Sequence, residues 1–181
     1  MADQEKAQPV WQRRTWLGGA ASLAALAGVG VAWWEQKREV ASSPIPGFWD
    51  QQWPTPSGEV LNMKSLKGRP LLVNFWATWC PPCVEELPLI NTFYREHRAN
   101  GWQVLALAVD QLAPVQKFLQ AMPLDFQVGM AGSVGADWAR SLGNLAGGLP
   151  FTVVIDSQGS VVQRKIGRLL PADLAAWSGI K

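Results

Sequence analysis

Two cysteines three positions apart carry the most reactive chemistry in this chain. Cys80 and Cys83 are its only cysteines, and they follow a strongly apolar run over residues 71–77 that is typical of a buried strand. A helical pattern begins at the pair, so Cys80 is predicted at a helix N-terminus, where unpaired N–H groups and the helix dipole stabilise a thiolate. Cys83 lies one turn further on, within reach of Cys80. This order of strand, cysteine pair and helix predicts a reversible, redox-active disulfide.

Other uses of a cysteine pair fit the sequence less well. A structural zinc site needs about four ligands, and the chain offers two cysteines and a single histidine, His97. A c-type haem site needs histidine directly after the second cysteine, where Val84 stands. A purely structural disulfide would close a tiny loop and would constrain the unfolded chain little. We therefore favour redox chemistry, and we expect no metal and no bound cofactor.

The residues around the pair predict how the reaction is divided. Cys80 is the predicted attacking thiol, and Cys83 the resolving thiol, which must lose a proton to break a mixed disulfide. Glu86 is the candidate base because it follows Cys83 by three positions and so shares one helix face with it, although a solvated charge is the commoner fate of a glutamate. Pro81 and Pro82 carry no charge between the cysteines, which favours a moderately reducing protein.

The periodicity of the chain predicts the elements that position this pair. After an irregular stretch over 44–56, we expect a hairpin around Gly58, a strand over 71–76 and a helix from Cys80 to about Ala99 that is kinked at Pro88 and ended by Asn100-Gly101. Further on we expect strands over 102–109, 126–128, 151–155 and 161–165, and helices over 114–122, 134–142 and 171–177. This order predicts an α/β fold with a central mixed sheet and helices on both faces.

The N-terminal segment is predicted to be a transmembrane anchor or a signal helix. Residues 16–34 contain no charge and at 1.5 Å per residue span about 28 Å, close to a bilayer core. Arg13-Arg14 precede them and resemble a twin-arginine export signal, but two tryptophans after the small residues favour an uncleaved anchor. The predicted organisation is a cytoplasmic tail over 1–15, the anchor or signal over 16–34, a linker over 35–44 and one domain over 45–181.

The composition excludes nucleic acid as a partner. The 16 Lys and Arg residues nearly balance 14 Asp and Glu residues, for a net charge of +2, and no basic patch occurs along the chain. The chain is rich in tryptophan, with 11 residues. Trp79, beside Cys80, is a candidate for a partner-docking surface, because tryptophan is enriched at interfaces; core filling is the alternative.

The segment FWATWCPPCVEELP, residues 75–88, resembles the TlpA/ResA-like membrane-anchored thioredoxin-fold thiol–disulfide oxidoreductases. The resemblance runs from about Ile45 to the C-terminus and includes residues 57–61, 66–70 and Leu149-Pro150. It implies a thioredoxin-like fold with an N-terminal hairpin extension and a helical insertion between residues 109 and 149.

The resemblance also implies roles for particular residues. Glu86 matches the acidic residue that this family places near the disulfide. Pro150 matches a cis-proline that faces the disulfide, and with Leu149 and Trp79 it is expected to bind the client chain. Asn74 stands where thioredoxin has a buried Asp and cannot take up a proton at neutral pH. We therefore expect Asn74 to shape the site and leave Glu86 as the better proton acceptor.

The function implied by the resemblance is the reduction of disulfides in extracytoplasmic clients, as in cytochrome c maturation or oxidase copper-centre assembly. Electrons would come from a membrane thiol donor, and the protein would be a single-pass protein of the bacterial inner membrane with its domain in the periplasm. A thioredoxin-fold peroxidase is one alternative, although Thr78 precedes Cys80 by two residues where a Thr-x-x-Cys pattern is wanted. A Cu(I)-delivery protein is another, since thiolates favour Cu(I), but such proteins usually add a histidine ligand.

Overall fold

Strands and helices alternate along residues 46–181, the part of the chain that the computed structural model describes. The strands are β1 (Gln52–Pro54), β2 (Val60–Asn62), β3 (Leu71–Trp76), β4 (Gln103–Ala108), β5 (Gln127–Met130), β6 (Phe151–Ile155) and β7 (Val161–Ile166). The α-helices are α1 (Pro81–His97), α2 (Leu112–Ala121), α3 (Val134–Ser141) and α4 (Pro171–Trp177), and short 3-10 turns cover Phe48–Asp50, Met63–Leu66 and Arg98–Asn100.

Most predicted elements are confirmed to within a few residues. The strand before the cysteines and the last helix have the predicted bounds, and Gly101 ends the turn after α1 with a φ of 93°. The prediction of an irregular stretch over 44–56 is wrong where the structure describes it, because β1 and a 3-10 turn form there. Pro88 lies within α1, and the kink at this residue stays a prediction.

The central sheet is mixed and has five strands in the order β5-β4-β3-β6-β7. β3 pairs in parallel with β4, and β4 pairs in parallel with β5. β6 runs antiparallel to β3 on its other side and forms an antiparallel hairpin with β7. This is a thioredoxin-like α/β arrangement, as predicted, and β3 at its centre leads directly into the cysteine pair.

The two faces of β3 enter two separate apolar clusters. Side chains alternate along a strand, so Leu72, Asn74 and Trp76 share one face. Leu72 and Trp76 pack with α1, α2 and α4 in one cluster, whereas Val73 and Phe75 join the cluster on the opposite face. Asn74 is therefore a polar residue in the middle of the face that α1 covers.

The hairpin β1–β2 is held against the edge of the sheet by Trp53. Trp53 is buried and meets the ring of Trp138 edge to face, with 6.5 Å between the ring centroids. Gly129 on β5 permits this approach, since a Cβ there would lie 3.0 Å from the Trp53 Cβ and 2.9 Å from Leu107 Cδ2. A side chain at position 129 would displace the hairpin.

Within residues 46–181, no helix has the length and apolar character that are needed to cross a membrane. The predicted tail over 1–15, anchor or signal over 16–34 and linker over 35–44 lie outside the described residues.

Candidate active site

A disulfide joins Cys80 and Cys83 at the N-terminus of α1, with 5.3 Å between the two Cα atoms. Cys80 is the N-cap residue, and the short loop that follows β3 brings it there. The Cys80 N–H donates to the Ala77 carbonyl at 3.2 Å, which closes that loop. Cys80 is 5% exposed and Cys83 is fully buried, so Cys80 is the sulfur nearer to solvent. The geometry thus brings the predicted redox pair together.

The two prolines change how the helix N-terminus acts on Cys80. Pro81 and Pro82 fill the first two helical positions and have no N–H group to donate. The N–H groups of Cys83 and Val84 donate to the Cys80 carbonyl at 3.0 and 3.2 Å. The first turn therefore offers fewer unpaired N–H groups than the sequence argument assumed. The helix dipole is the contribution that remains for a thiolate at Cys80.

Glu86 is buried, with 1% of its surface exposed, so it is not the solvated charge that a glutamate usually becomes. Its Oε1 accepts a hydrogen bond from Asn74 Nδ2 at 2.7 Å, and its Oε2 accepts one from the Leu169 N–H at 2.6 Å. Burial raises the pKa of Glu86, and the Leu169 and Asn74 hydrogen bonds and the charge of Arg168 oppose that rise. A carboxyl that can gain and lose a proton thus lies one helical turn from Cys83.

Asn74 ties β3 to the active-site helix and to β6. Its Nδ2 donates to Glu86 and also to Thr152 Oγ1, at 2.9 Å. Thr152 is the direct partner of Asn74 across the β3–β6 ladder and is a site residue that sequence reasoning missed. Asn74 Oδ1 is buried and has no hydrogen-bond partner. Its position supports the expected role of shaping the site.

The loop before β6 places Leu149 and Pro150, and the peptide bond between them is cis. The Pro150 carbonyl accepts a hydrogen bond from the Gly167 N–H at 2.8 Å. Asn144 is fully buried, and its Nδ2 donates to the Gly148 carbonyl at 2.7 Å. Asn144 is a second residue that sequence reasoning missed, because nothing local marks it as the anchor of this loop.

Trp79 lies on the surface next to Cys80, with 65% of the residue exposed. It lines a shallow depression with Asp110, Gly132 and neighbouring residues. Thr78, the residue before it, donates from its N–H and its Oγ1 to Asp110 Oδ2, at 2.8 and 2.6 Å. Trp79 does not fill the core, and its exposure suits a docking residue.

His97 cannot complete a metal site with the cysteines. It ends α1 while the cysteines lie at the start of that helix, so at 1.5 Å per residue about 21 Å of helix separate it from Cys83 and about 25 Å separate it from Cys80. Its ring lies instead on Phe93, with 4.6 Å between the centroids. Among residues 46–181, no three His, Cys, Asp or Glu side chains are grouped so that they could hold a metal ion.

Comparisons with known proteins agree with this geometry. The profile of the Redoxin family matches residues 41–175. The chain is 33% identical over 121 residues to a thiol-disulfide oxidoreductase ResA of Bacillus cereus, covering 66% of this chain and 68% of that protein. It is 34% identical over 121 residues to ResA of Bacillus anthracis, with the same coverage.

Solved structures show the same fold. The structure of dsbF from MTB has a TM-score of 0.63 and 26% identity, covering 74% of this chain and 96% of that one. A thiol:disulfide interchange protein of the thioredoxin family from Chlorobium tepidum TLS has a TM-score of 0.63 and 28% identity, covering 75% and 92%.

Proposed function

The chain belongs to the Redoxin family and is a thiol–disulfide oxidoreductase similar to ResA, and from that premise we propose that it reduces disulfides in extracytoplasmic client proteins. The observation that carries the proposal is the Cys80–Cys83 pair at the start of a helix whose next turn holds the buried carboxyl of Glu86. Neutral prolines between the cysteines leave the thiolate without a cationic neighbour there, which supports the reducing direction.

The proposed reaction begins with the reduced pair. The Cys80 thiolate attacks one sulfur of a client disulfide, which forms a mixed disulfide and releases the first client thiolate. Cys83 gives its proton to the Glu86 carboxylate and then attacks the Cys80 sulfur, which releases the second client thiolate. Two electrons pass to the client, and the enzyme is left with the Cys80–Cys83 disulfide. A membrane thiol donor then reduces that disulfide by the same exchange in reverse.

The client is proposed to bind beside Trp79, Leu149 and Pro150. Pro150 has no N–H, and its carbonyl is occupied by Gly167, so Leu149 offers the neighbouring backbone for pairing with an extended client segment. The exposed ring of Trp79, next to Cys80 in the chain, offers an apolar contact to the client. This arrangement suits an unfolded or loop segment, such as an apocytochrome c or a copper-centre assembly protein would present.

The cellular setting is part of the proposal. The uncharged segment 16–34 supports a single-pass anchor in the bacterial inner membrane, with the thioredoxin-like domain in the periplasm. That location would bring the domain close to a membrane thiol donor. The cysteine pair then needs no bound cofactor.

The test is disulfide reduction by the purified full chain. With a chemical thiol as electron source, the chain should reduce the disulfides of insulin, and Cys80→Ser should abolish the reaction. Glu96→Gln, an exposed change near the C-terminal end of α1, serves as the matched control and should leave the rate unchanged. A parallel titration with Cu(I) separates the alternatives. A chain that binds Cu(I) and leaves insulin intact would contradict the proposed function.

A further inference from the structure

One loop contacts both Pro150 and Glu86, the proposed client-binding residue and the proposed base. This loop, residues 167–169, follows β7 and leads towards α4. The Gly167 N–H donates to the Pro150 carbonyl at 2.8 Å, and the Leu169 N–H donates to Glu86 Oε2 at 2.6 Å. Two backbone donors two residues apart therefore hold the client-binding proline and the proton-accepting carboxyl. A shift of this loop would disturb both contacts together.

Arg168 lies between these donors and binds back to the active-site helix. Its Nη1 donates to Glu85 Oε2 at 2.5 Å, and about half of each side chain is exposed. Glu85 directly precedes Glu86 on α1. The ion pair thus joins the loop to the helix at the point where the Leu169 N–H reaches the buried carboxylate. The mechanism proposed above uses neither member of this pair.

We propose that the Arg168–Glu85 ion pair is a latch that holds loop 167–169 on helix α1, and so keeps Leu169 on Glu86 and Gly167 on Pro150. Arg168 and Glu85 are positioning residues, since neither reacts with the client. The inference rests on the proposed function, because the latch affects exchange through Glu86 and through the client-binding proline. An exposed ion pair contributes little to global stability, so its effect should be local to the site.

The charges around Glu86 make the latch separable from a simple charge effect. Glu85 is the acidic neighbour on α1, and Arg168 is the cation on the loop that lowers the Glu86 pKa. Lys165 and Asp173, at the end of β7 and the start of α4, pair with each other at 3.0 Å. The strands that pack against Glu86 add no charge at this point. β3 contributes the amide of Asn74, and β6 contributes the hydroxyl of Thr152 that accepts from that amide.

Replacement of Glu85 by glutamine gives opposite results under the two explanations. If charge alone matters, loss of a neighbouring negative charge favours the Glu86 carboxylate and moves its titration to lower pH. If the latch holds, the same change frees Arg168 and loosens the Leu169 N–H, so the carboxylate loses support. The Glu86 titration then moves to higher pH, by about half a unit for one weakened charge-assisted contact.

The experiment follows the Glu86 carboxyl directly by carbon NMR across pH 4–9 in the full chain, for wild type, Glu85→Gln and Arg168→Gln. Both variants should move the midpoint of the Glu86 titration to higher pH, and hydrogen exchange at the Gly167 and Leu169 amides should become faster. Asp137→Asn, which breaks an exposed ion pair with Arg140 on α3, is the matched control and should move neither. A downward or absent shift in Glu85→Gln would overturn the latch.

The readout distinguishes this failure from failure of the proposed function. The NMR titration reports the contact geometry whether or not Glu86 takes a proton from Cys83. If Glu86→Gln leaves the pH–rate profile of exchange unchanged, the catalytic role of Glu86 fails, while the Glu85→Gln titration still decides the latch. If the catalytic role of Glu86 and the latch are both correct, Glu85→Gln should move the pH–rate profile of exchange to higher pH together with the Glu86 titration. The same change should have no such effect in the Glu86→Gln background.

Discussion

Replacement of Glu86 by glutamine should slow disulfide exchange by roughly tenfold or more, at the low end of general-base effects. An ordinary cysteine thiol is only about 3% ionised at pH 7, so a base that removes the Cys83 proton can raise the reactive fraction by about thirtyfold. Burial disfavours a thiolate further, and Cys83 is fully buried. Asn74 cannot take up a proton at neutral pH, so no other group on this face of β3 replaces the lost base.

The fold should survive the Glu86→Gln change. Glutamine forms helices as well as glutamate does, and its amide oxygen can still accept from the Leu169 N–H. Its NH₂ group would face Asn74, whose Oδ1 is now without a partner and can accept that hydrogen bond if the Asn74 amide turns. Circular dichroism should therefore be unchanged in the variant.

Stability should respond to pH in a defined direction. Because burial raises the pKa of Glu86, the folded chain holds this proton more tightly than the unfolded chain. The resulting stabilisation is complete below the ordinary glutamate pKa and is lost as pH rises through the folded pKa. Across that window, the free energy of unfolding of wild type should fall relative to that of Glu86→Gln.

The assay is the rate of exchange with a model disulfide peptide, measured over pH 5–9 for wild type and Glu86→Gln. Glu96→Gln, an exposed change on the last part of the same helix, is the matched control and should match wild type. A Glu86→Gln profile that overlays the wild-type profile would refute the reasoning.

Three further predictions concern the parts that position the site. Gly129→Ala should lower the free energy of unfolding by about 1–3 kcal/mol in denaturant titrations through overpacking against Trp53 and Leu107, while insulin reduction by the folded fraction stays unchanged; equal stability would contradict the packing argument. Asn144→Ala should lower the free energy of unfolding by about 0.5–1.5 kcal/mol because the hydrogen bond from the buried Asn144 amide to the Gly148 carbonyl is lost, and it should raise the KM for a client peptide; an unchanged KM would remove Asn144 from the positioning of Leu149. The full chain should stay in the membrane fraction after a high-salt wash, whereas release of a shorter species would show cleavage of the N-terminal segment.

The sequence predicts the elements of the site better than their connections. β3 is a continuous apolar run and a helical pattern begins at the cysteine pair, so the placement of Cys80, Cys83 and Glu86 on one helix follows from the sequence alone. The hydrogen bond from Leu169 to Glu86 cannot be predicted in this way. Leu169 lies 83 residues away and donates through its backbone N–H, which every residue type except proline provides. Thr152 and Asn144 were missed for a related reason, since their roles depend on strand register and loop packing.

The resemblance supplied what the periodicity did not. By itself, a proline after two glycines and a leucine is compatible with an ordinary turn, and only its match to a known family marked Pro150 as a cis-proline. At the helix N-terminus, by contrast, a general rule misled the prediction. The sequence pattern predicts unpaired N–H groups near Cys80, but Pro81 and Pro82 remove two of these donors. The irregular stretch predicted over 44–56 was wrong because its prolines and tryptophans hide β1, the short strand that packs Trp53 on β5.

The most direct test of the central claim is the mass of the covalent intermediate. Reduced Cys83→Ser chain mixed with a disulfide peptide should accumulate an adduct of one peptide half on Cys80, because no resolving thiol is present to release it. The reduced Cys80→Ser chain should form an adduct much more slowly, since its remaining thiol, Cys83, is buried. An adduct that forms faster on Cys83 than on Cys80 would contradict the assigned roles and the account built on them.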